Sequence, residues 1–186
     1  MYQINRNKNE IIKTEEKSIA VIELMDKTLI KIGPKSEFRV DKWNYRDDHD
    51  RDTVMSIIRG QIRAHVKSKT KFGEQVEFKT NSVSMGIRGT EFLVNVIDEL
   101  KEDVTQVALI EGLIHLHGND LIKDKFIYPG DEIDIVSDDS SRRLEAKKIQ
   151  IENFNLNPED FLGMYEKPIK VTKIATEAPV PVIKNE

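Results

Sequence analysis

The chain has 186 residues, of which 38% are hydrophobic and 33% charged, and 29 Lys and Arg against 33 Asp and Glu give a formal charge of −4. This near-neutral balance argues against a disordered charged tail and against a dedicated nucleic-acid-binding protein, which usually has a clear basic excess. Cysteine is absent, which excludes disulfides, thiolate nucleophiles and metal sites built on cysteine.

Short apolar runs and alternations dominate residues 18–136, broken at close intervals by Gly, Pro, Asp and Asn, a pattern typical of β-strands. The predicted strands are 19–24, 28–32, 37–40, 76–79, 91–96, 105–110, 113–116 and 132–135. Tight turns are predicted at 25–28 and 33–34. No helix-length amphipathic segment separates these strands, so the sequence predicts an all-β domain and not a parallel β/α architecture.

A weak internal repeat combines an apolar residue, a spacer and a glycine, at Gly60, Gly89, Gly112 and Gly130. The glycines are 29, 23 and 18 residues apart, and without a fixed period a propeller or a regular solenoid is disfavoured. An irregular β-solenoid or a β-sandwich-like fold fits better. The glycines are expected to adopt φ > 0 or to allow a close backbone approach where the chain turns.

The pattern changes after Val136. Helix-forming residues preceded by several capping residues predict a helix over 142–153, and Asn-Pro-Glu-Asp at 157–160 predicts a short helix near 158–165. We therefore divide the chain into an N-terminal lead or boundary segment (1–9), a β domain (10–137), a small C-terminal helical extension (138–166) and a flexible, proline-containing tail (167–186). Residues after about 174 are not expected to pack on the core.

Between Arg59 and Lys71, polar side chains occupy odd positions and apolar ones even positions. Because a strand alternates its faces, this predicts one basic stripe, roughly 25 Å long if extended, over an apolar face. The candidate binding stripe consists of Arg59, Arg63, His65, Lys67, Lys69 and Lys71. It would suit an anionic protein surface, a lipopolysaccharide head group or nucleic acid, although aromatic residues are not interleaved. The alternative that we favour is neutralisation by acids on neighbouring strands, such as Glu77, Glu91, Glu132 and Asp134.

Two groups of side chains resemble incomplete metal sites. Residues 46–52 contain four acids and a histidine, but lack the glycine and the distant glutamate of a calcium loop, so a solvated loop is favoured. His115 and His117 share one strand face without an evident third ligand.

No nucleophile motif, phosphate loop or dinucleotide fingerprint occurs. The sequence therefore predicts neither enzymatic activity nor a cofactor.

The segment VSMGIRGTEFLVNV, residues 83–96, resembles the signature of the FecR-like domain family, whose core is Gly-[Val/Ile]-Arg-Gly-Thr-Glu-Phe. The matching residues are Gly86, Arg88, Gly89, Thr90, Glu91 and Phe92. Further similar stretches follow the family order at 18–37, 58–66, 107–116 and 128–133, so the resemblance covers roughly 10–137. One departure is Lys27, at a turn position where the family commonly has glycine. We interpret the signature as a structural corner, set by Gly89 and capped by Thr90; a recognition corner is the alternative.

The resemblance implies a non-enzymatic interaction or signalling module of the bacterial cell envelope, with another envelope protein as its partner. It also implies a periplasmic or otherwise extracytoplasmic location, with the signal lying outside this chain, because the polar N-terminus lacks a secretory hydrophobic region. The best-known members carry an anti-sigma segment and a membrane helix before this domain, and neither is present here. Two alternatives remain: a cell-wall or anionic glycan-binding module, and a cytoplasmic adapter. A nucleic-acid partner is not expected, and the oligomeric state is open.

Overall fold

The computed structural model describes residues 10–47, 50–67, 75–98, 102–117, 125–137 and 141–148. These residues form eleven strands in one mixed sheet. The strands are β1 (Glu10–Lys13), β2 (Ala20–Glu23), β3 (Leu29–Ile32), β4 (Glu37–Asp47), β5 (Asp50–Val66), β6 (Gln75–Lys79), β7 (Ser84–Asp98), β8 (Asp103–His117), β9 (Lys125–Ile127), β10 (Asp131–Ser137) and β11 (Arg142–Lys148). Among the described residues, no helix has the length and apolar character that a membrane crossing requires.

Three long strands, β5, β7 and β8, each pair with different neighbours along their length. The first part of β5 lies between β4 and the parallel strand β6, and its last part lies between β3 and β7. The start of β7 pairs with β6, while β8 pairs with β10 near its start and with β9 near its end. The sheet thus has a first half with β1, β4, β6 and β9, and a second half with β2, β3, β10 and β11, joined by the three shared strands.

The two halves of the sheet enclose one hydrophobic core. The buried apolar side chains of both halves belong to a single cluster. Phe78 on β6 and Phe92 on the later part of β7 meet edge to face, with ring centroids 5.0 Å apart. Each fully buried side chain of this size stabilises the fold by roughly 1.5–3 kcal/mol relative to exposure. The sheet is therefore folded over its own core in a sandwich-like arrangement, and the predicted all-β class is confirmed.

Each long strand contains a glycine at the point where it passes from one half of the sheet to the other. Gly60, Gly89 and Gly112 have φ of +81°, +56° and +94°, values that glycine adopts readily and other residues rarely. On β5 the inward-facing residues are odd-numbered up to Ile57 and even-numbered from Ile62 onwards. The expected positive φ at these glycines is confirmed. On β5 the bend at Gly60 changes the face of the strand that is directed towards the core.

Several predicted segments are longer in the structure: the strand predicted at 37–40 extends to Asp47 in β4, and the strand predicted at 91–96 is part of β7. The segments 105–110 and 113–116 are parts of one continuous strand, β8, which bends at Gly112 without ending. The acid-rich segment 46–52 is not a long loop, because β4 extends to Asp47 and β5 begins at Asp50. The predicted turn at 25–28 is confirmed, and Lys27 has φ of +65° at the position where glycine is common in the family.

The helix predicted from Arg142 is wrong over the residues that the structure describes. Residues 142–148 form β11, which is antiparallel to β10 in a register that joins Ser137 to Arg142 and Asp131 to Lys148. Leu144 packs against the core cluster, and β10 offers acidic partners to the lysines of β11. These tertiary contacts override the local helix propensity. The remainder of this helix, the short helix near 158–165 and the tail lie outside the described residues.

Candidate binding groove at the signature corner

The signature corner, residues 86–92, is the point where β7 bends from the first half of the sheet to the second. The hydroxyl of Thr90 accepts a hydrogen bond from the backbone N–H of Arg88 at 3.2 Å and donates one to a carbonyl of β8 at 3.1 Å. A Cβ on Gly112 would lie 2.1 Å from the carbonyl oxygen of Gly89. The two strands can therefore approach this closely only with glycine at residue 112.

The other signature side chains lie in three different environments. Phe92 is fully buried in the core. Glu91 accepts a hydrogen bond from Nε of Arg63 at 2.8 Å. Arg88 is exposed, and its guanidinium forms no hydrogen bond or ion pair with another residue in the described ranges. Backbone geometry and packing thus account for most of the signature, whereas the side chain of Arg88 is left available for recognition.

A shallow groove with a volume of about 360 Å³ lies on the outer face of the first half of the sheet, across β6, β7, β8 and β9. It contains two signature residues as well as the histidine pair noted in the sequence. Its lining comprises Val76, Glu77, Gly86, Ile87, Arg88, Leu113, His115, His117 and Phe126. The signature corner therefore forms one wall of a concave surface.

Gly86 forms the floor of this groove. It pairs with Glu77 on β6 and with His115 on β8, so one residue from each of these three neighbouring strands lies side by side here. A Cβ on Gly86 would lie 3.8 Å from Cβ of His115 and 3.9 Å from Nε2 of His117. These are ordinary contacts, and a Cβ alone would fit. Any longer side chain would fill the space between the neighbouring strands, so glycine keeps the groove open.

The groove combines aromatic surface with hydrogen-bonding groups. Phe126 on β9 is 49% exposed and stacks on the ring of His115, with centroids 4.7 Å apart. Nε2 of His117 lies 3.5 Å from Oε1 of Glu77, and Arg88 lies at the margin. Exposed aromatic and arginine side chains commonly contribute most of the energy of protein interfaces, and arginine pairs well with a carboxylate. This chemistry suits the recognition of a protein segment.

Sequence reasoning missed Phe126 and its exposed neighbour Tyr128. The strand β9 has only three residues, too few for the alternation that identifies a strand from sequence. The usable signal was a pair of aromatic residues two positions apart, immediately before the Pro129–Gly130 turn.

The side chains considered as metal ligands are not assembled into a metal site in the part of the chain that the structure describes. The rings of His115 and His117 are 5.4 Å apart. No group of three or more His, Asp or Glu residues there is arranged to hold a metal ion. Asp52 is ion-paired with Lys42, and the side chains of residues 46–50 lie outside the description.

The basic stripe on β5 does not form a uniformly exposed band. Arg59 is exposed, but its Nη2 lies 2.6 Å from Oε1 of Glu37 on β4. Arg63 is only 5% exposed and is ion-paired with Glu91. This pair agrees with the interpretation that we favoured, in which acids on neighbouring strands such as Glu91 neutralise the stripe. The near-complete burial of Arg63 was not expected, and it removes this side chain from the candidate binding surface.

The remaining stripe residues have mixed positions. His65 is half-buried and lies opposite Glu91 in the β5–β7 register. Lys67 is exposed just after the end of β5. Lys69 and Lys71 lie outside the described residues. The structure thus brings Arg63 and His65 close to the signature residue Glu91, on the opposite half of the sheet from the groove.

A buried ion pair links the turn between β2 and β3 to the start of β5. The side chains of Asp26 and Arg51 are both 2% exposed and paired with each other. Asp26 also accepts hydrogen bonds from the backbone N–H and the hydroxyl of Thr28, both at 2.9 Å. The Asp-x-Thr turn is a local pattern visible in the sequence. Its arginine partner, 25 residues away, is not.

Comparison with known proteins gives one family and a similar fold. Residues 10–115 match the family described as "FecR protein". Two crystal structures of a "putative anti-sigma factor" from Parabacteroides distasonis ATCC 8503 are similar, with TM-scores of 0.58 and 0.59 and 14% sequence identity. The similarity covers 74% and 75% of this chain and 59% and 60% of those chains, so this chain corresponds to about three fifths of their length. No curated protein sequence matches significantly.

The family match takes in the signature corner, the long strands β5 and β7 and most of β8. At 14% identity the two crystal structures support the fold alone. The predicted family resemblance is confirmed. Since the match extends over more than half of the 186 residues, this chain belongs to the FecR family.

Proposed function

We propose that this chain is a non-enzymatic, protein-binding module of a signalling regulator of the FecR type, acting outside the cytoplasm. Its groove at the signature corner is the binding surface, and the partner is another protein of the cell envelope. Membership of the FecR family and the similar fold of a protein described as an anti-sigma factor both favour a regulatory role.

The observation that carries this proposal is the position of Arg88. This signature arginine is exposed, has no partner among the described residues, and borders a groove that also presents Phe126 and His117. If the role of Arg88 were only to stabilise the bend, its side chain would be buried or hydrogen-bonded within the fold, as those of Phe92 and Thr90 are. An exposed arginine beside an exposed aromatic ring is instead arranged for contact with a partner.

Binding to an anionic glycan has less support. Both arginines of the basic stripe already have acidic partners within the sheet, Glu37 for Arg59 and Glu91 for Arg63. Neutralised charges offer little attraction to a polyanion, because their field is largely cancelled at the surface.

Site-specific photo-crosslinking in cells of the native organism tests the groove. A photoreactive amino acid replaces Phe126 in one strain. In a control strain it replaces Met25, which is 72% exposed on the turn between β2 and β3. We expect one defined protein adduct from position 126 that is absent from position 25. Adding Arg88→Glu should reduce this adduct at least about tenfold, because a carboxylate-binding arginine is lost. An adduct that is insensitive to Arg88→Glu, or adducts equal at both positions, would contradict the groove proposal.

Protease protection tests the location separately. In cells whose outer barrier has been permeabilised, an extracytoplasmic domain is degraded by added protease while a cytoplasmic marker survives. We expect the chain, expressed from its native gene, to be degraded under these conditions. Its survival together with the marker would support the cytoplasmic adapter instead.

A further inference from the structure

The groove at the signature corner is closed at one end by a contact that crosses β7. Glu77 on β6 and His117 on β8 lie on opposite sides of this strand, and the backbones of β6 and β8 are about 10 Å apart at the usual strand spacing. Nε2 of His117 is nevertheless 3.5 Å from Oε1 of Glu77, so the two side chains meet above β7. Gly86 leaves room for this contact, since a Cβ there would already lie 3.9 Å from Nε2 of His117.

Arg88 lies at the other end of the groove. It is two residues beyond Gly86 on the outward side of β7, about 7 Å along the strand. Among the described residues that line the groove, Arg88 is the single lysine or arginine and Glu77 the single acid. Glu77 is ion-paired with Lys79 at 3.2 Å and contacts His117, whereas Arg88 has no such partner in the described ranges. The uncompensated charge of the groove is therefore positive, and it lies at the end away from the Glu77–His117 contact.

Between its two ends the groove has an apolar and aromatic wall. This wall consists of Leu113 and of His115 stacked on the half-exposed ring of Phe126. The volume of about 360 Å³ is at the small end of the range for ligand clefts, and a helix with its side chains is about 10 Å wide. The groove therefore suits one large side chain of an extended segment. An aromatic ring would pack against Phe126 and His115, and such pairs are favourable beyond the area that they bury.

Building on the function proposed for this groove, we propose that it recognises an extended segment of the partner protein in which an aromatic residue lies two positions from an aspartate or glutamate. Alternate residues of an extended chain point to the same side, about 7 Å apart, which matches the separation of Gly86 and Arg88. The aromatic side chain fills the space above Gly86 beside Phe126, and the acidic side chain pairs with the guanidinium of Arg88. Pockets for alternate side chains are a common basis of specificity for extended segments.

Selection from a library of random short peptides displayed on phage, with the full chain as bait, tests this proposal. We expect the enriched peptides to share an aromatic residue and an acid two positions apart. Against Arg88→Glu, the same library should instead enrich an aromatic residue and a lysine or arginine at that spacing, because the charge requirement is reversed. A gain of new peptides also shows that the variant is folded.

Arg39→Glu is the matched control for the charge reversal. Arg39 is an outward-facing arginine of β4 on the same face of the first half of the sheet, in a register that joins it to Ser56 and Lys79, and it is not part of the groove lining. This variant should select the same motif as the native chain. Selection of basic peptides by Arg39→Glu as well would show that the effect is one of overall charge, and would contradict the assignment to Arg88.

An enriched peptide, synthesised with an amidated C-terminus, then measures the two contacts by fluorescence anisotropy. Replacing its acid by the corresponding amide should weaken binding to the native chain at least about tenfold, and by less than about twofold when Arg88→Gln has already removed the partner. Gly86→Leu fills the space for the aromatic ring and should weaken binding at least about tenfold, with an unchanged circular dichroism spectrum. Binding only by the free-acid form would show that Arg88 holds a chain terminus, and would overturn the proposal.

The outcomes separate this proposal from the more general one. Enriched peptides without an acid, a different spacing, the same motif against Arg88→Glu, or no enrichment at all would overturn the proposed motif. The groove would still be the binding surface if the adduct formed in cells from position 126 remained sensitive to Arg88→Glu. Loss of that adduct, in contrast, would contradict the proposed function itself, whatever peptides the library yields.

Discussion

At the scale of single residues, glycine is needed for two separable reasons, at the bend of β8 (Gly112) and at the turn between β9 and β10 (Gly130). Gly112 and Gly130 have similar φ values, +94° and +86°, but a Cβ on Gly112 would lie 2.1 Å from a backbone oxygen, whereas a Cβ on Gly130 would meet nothing within 4 Å. Comparing alanine at the two positions therefore separates backbone strain from steric conflict.

We expect Gly130→Ala to lower the free energy of unfolding by about 1–2 kcal/mol, the cost of a non-glycine residue at positive φ. Gly112→Ala should lower it by about 2–5 kcal/mol, since displacement of the neighbouring strand adds to the same strain. Urea denaturation followed by circular dichroism measures both. Equal losses would show that β7 and β8 separate without cost and that the close contact is not important.

The same residues show how far sequence reasoning reaches at this scale. The positive φ at Gly89 and the local hydrogen bond of Thr90 were predictable, because both follow from the intrinsic preferences of the residue types. The burial of Arg63 was not predictable from alternation alone. Glu91 was among the acids expected to neutralise the stripe, but which acid lies beside Arg63 depends on the register of a distant strand, since Glu91 is 28 residues away along the chain.

At the scale of elements, two of the three arginines of β5, Arg59 and Arg63, lie in contrasting environments. Arg63 is buried and paired with Glu91, whereas Arg59 is 57% exposed and paired with Glu37. Removing one partner of a buried pair leaves an uncompensated charge in a dry environment. An exposed pair contributes little because water screens it.

We therefore expect Arg63→Glu to destabilise the domain by about 3–5 kcal/mol, and Arg59→Glu by about 1 kcal/mol or less. Chemical denaturation in low and high salt is the measurement, and only the loss at Arg59 should shrink with salt. If both variants were equally mild, Arg63 would be reaching solvent and the basic stripe would be available to an anionic partner after all.

The strand β11 is held to β10 partly by charge. Nζ of Lys148 donates a hydrogen bond to Oδ1 of Asp131 at 2.7 Å, and this bond holds the pKa of Asp131 below its ordinary value. A carboxyl group whose pKa is lowered on folding contributes stability above its unfolded pKa. That contribution is lost as the pH falls through the folded pKa.

We expect Lys148→Ala to raise the pKa of Asp131 towards the ordinary aspartate value, as followed by NMR of the side-chain carboxyl carbon. The pKa of Glu16, which a hydrogen bond from Lys35 lowers at a separate turn, should not change. An unchanged pKa of Asp131 would mean that the exposed ion pair is not formed in solution.

The prediction of a helix at β11 was wrong for a reason that belongs to the element scale. The residues from Arg142 to Lys148 have good helix propensity, but Leu144 has a place against the core and Lys147 and Lys148 have acidic partners on β10. The strands β7 and β10 were predictable because alternation is strong within each of them.

The groove was only partly predictable. Its signature residues and histidines were noted, but the topology that brings them together is not a local property.

At the scale of the whole molecule, the three shared strands should make the two halves of the sheet one cooperative unit. Because β5, β7 and β8 continue through both halves, neither half can separate without breaking the pairings of strands that also build the other. Phe78 and Phe92 join the halves through the core as well. Small single domains of this kind usually unfold in one transition.

Trp43 allows the cooperativity of unfolding to be tested, because it is the single tryptophan of the chain and its fluorescence reports on β4 in the first half of the sheet. Val107 is fully buried on β8 in the second half, and Val107→Ala should destabilise the protein by about 2 kcal/mol through the cavity that it leaves. We expect the urea midpoints measured by Trp43 fluorescence and by far-ultraviolet circular dichroism to fall together and by the same amount. A fluorescence midpoint that stays at the wild-type value while circular dichroism becomes biphasic would show instead that the halves unfold independently, with the glycine bends acting as hinges between them.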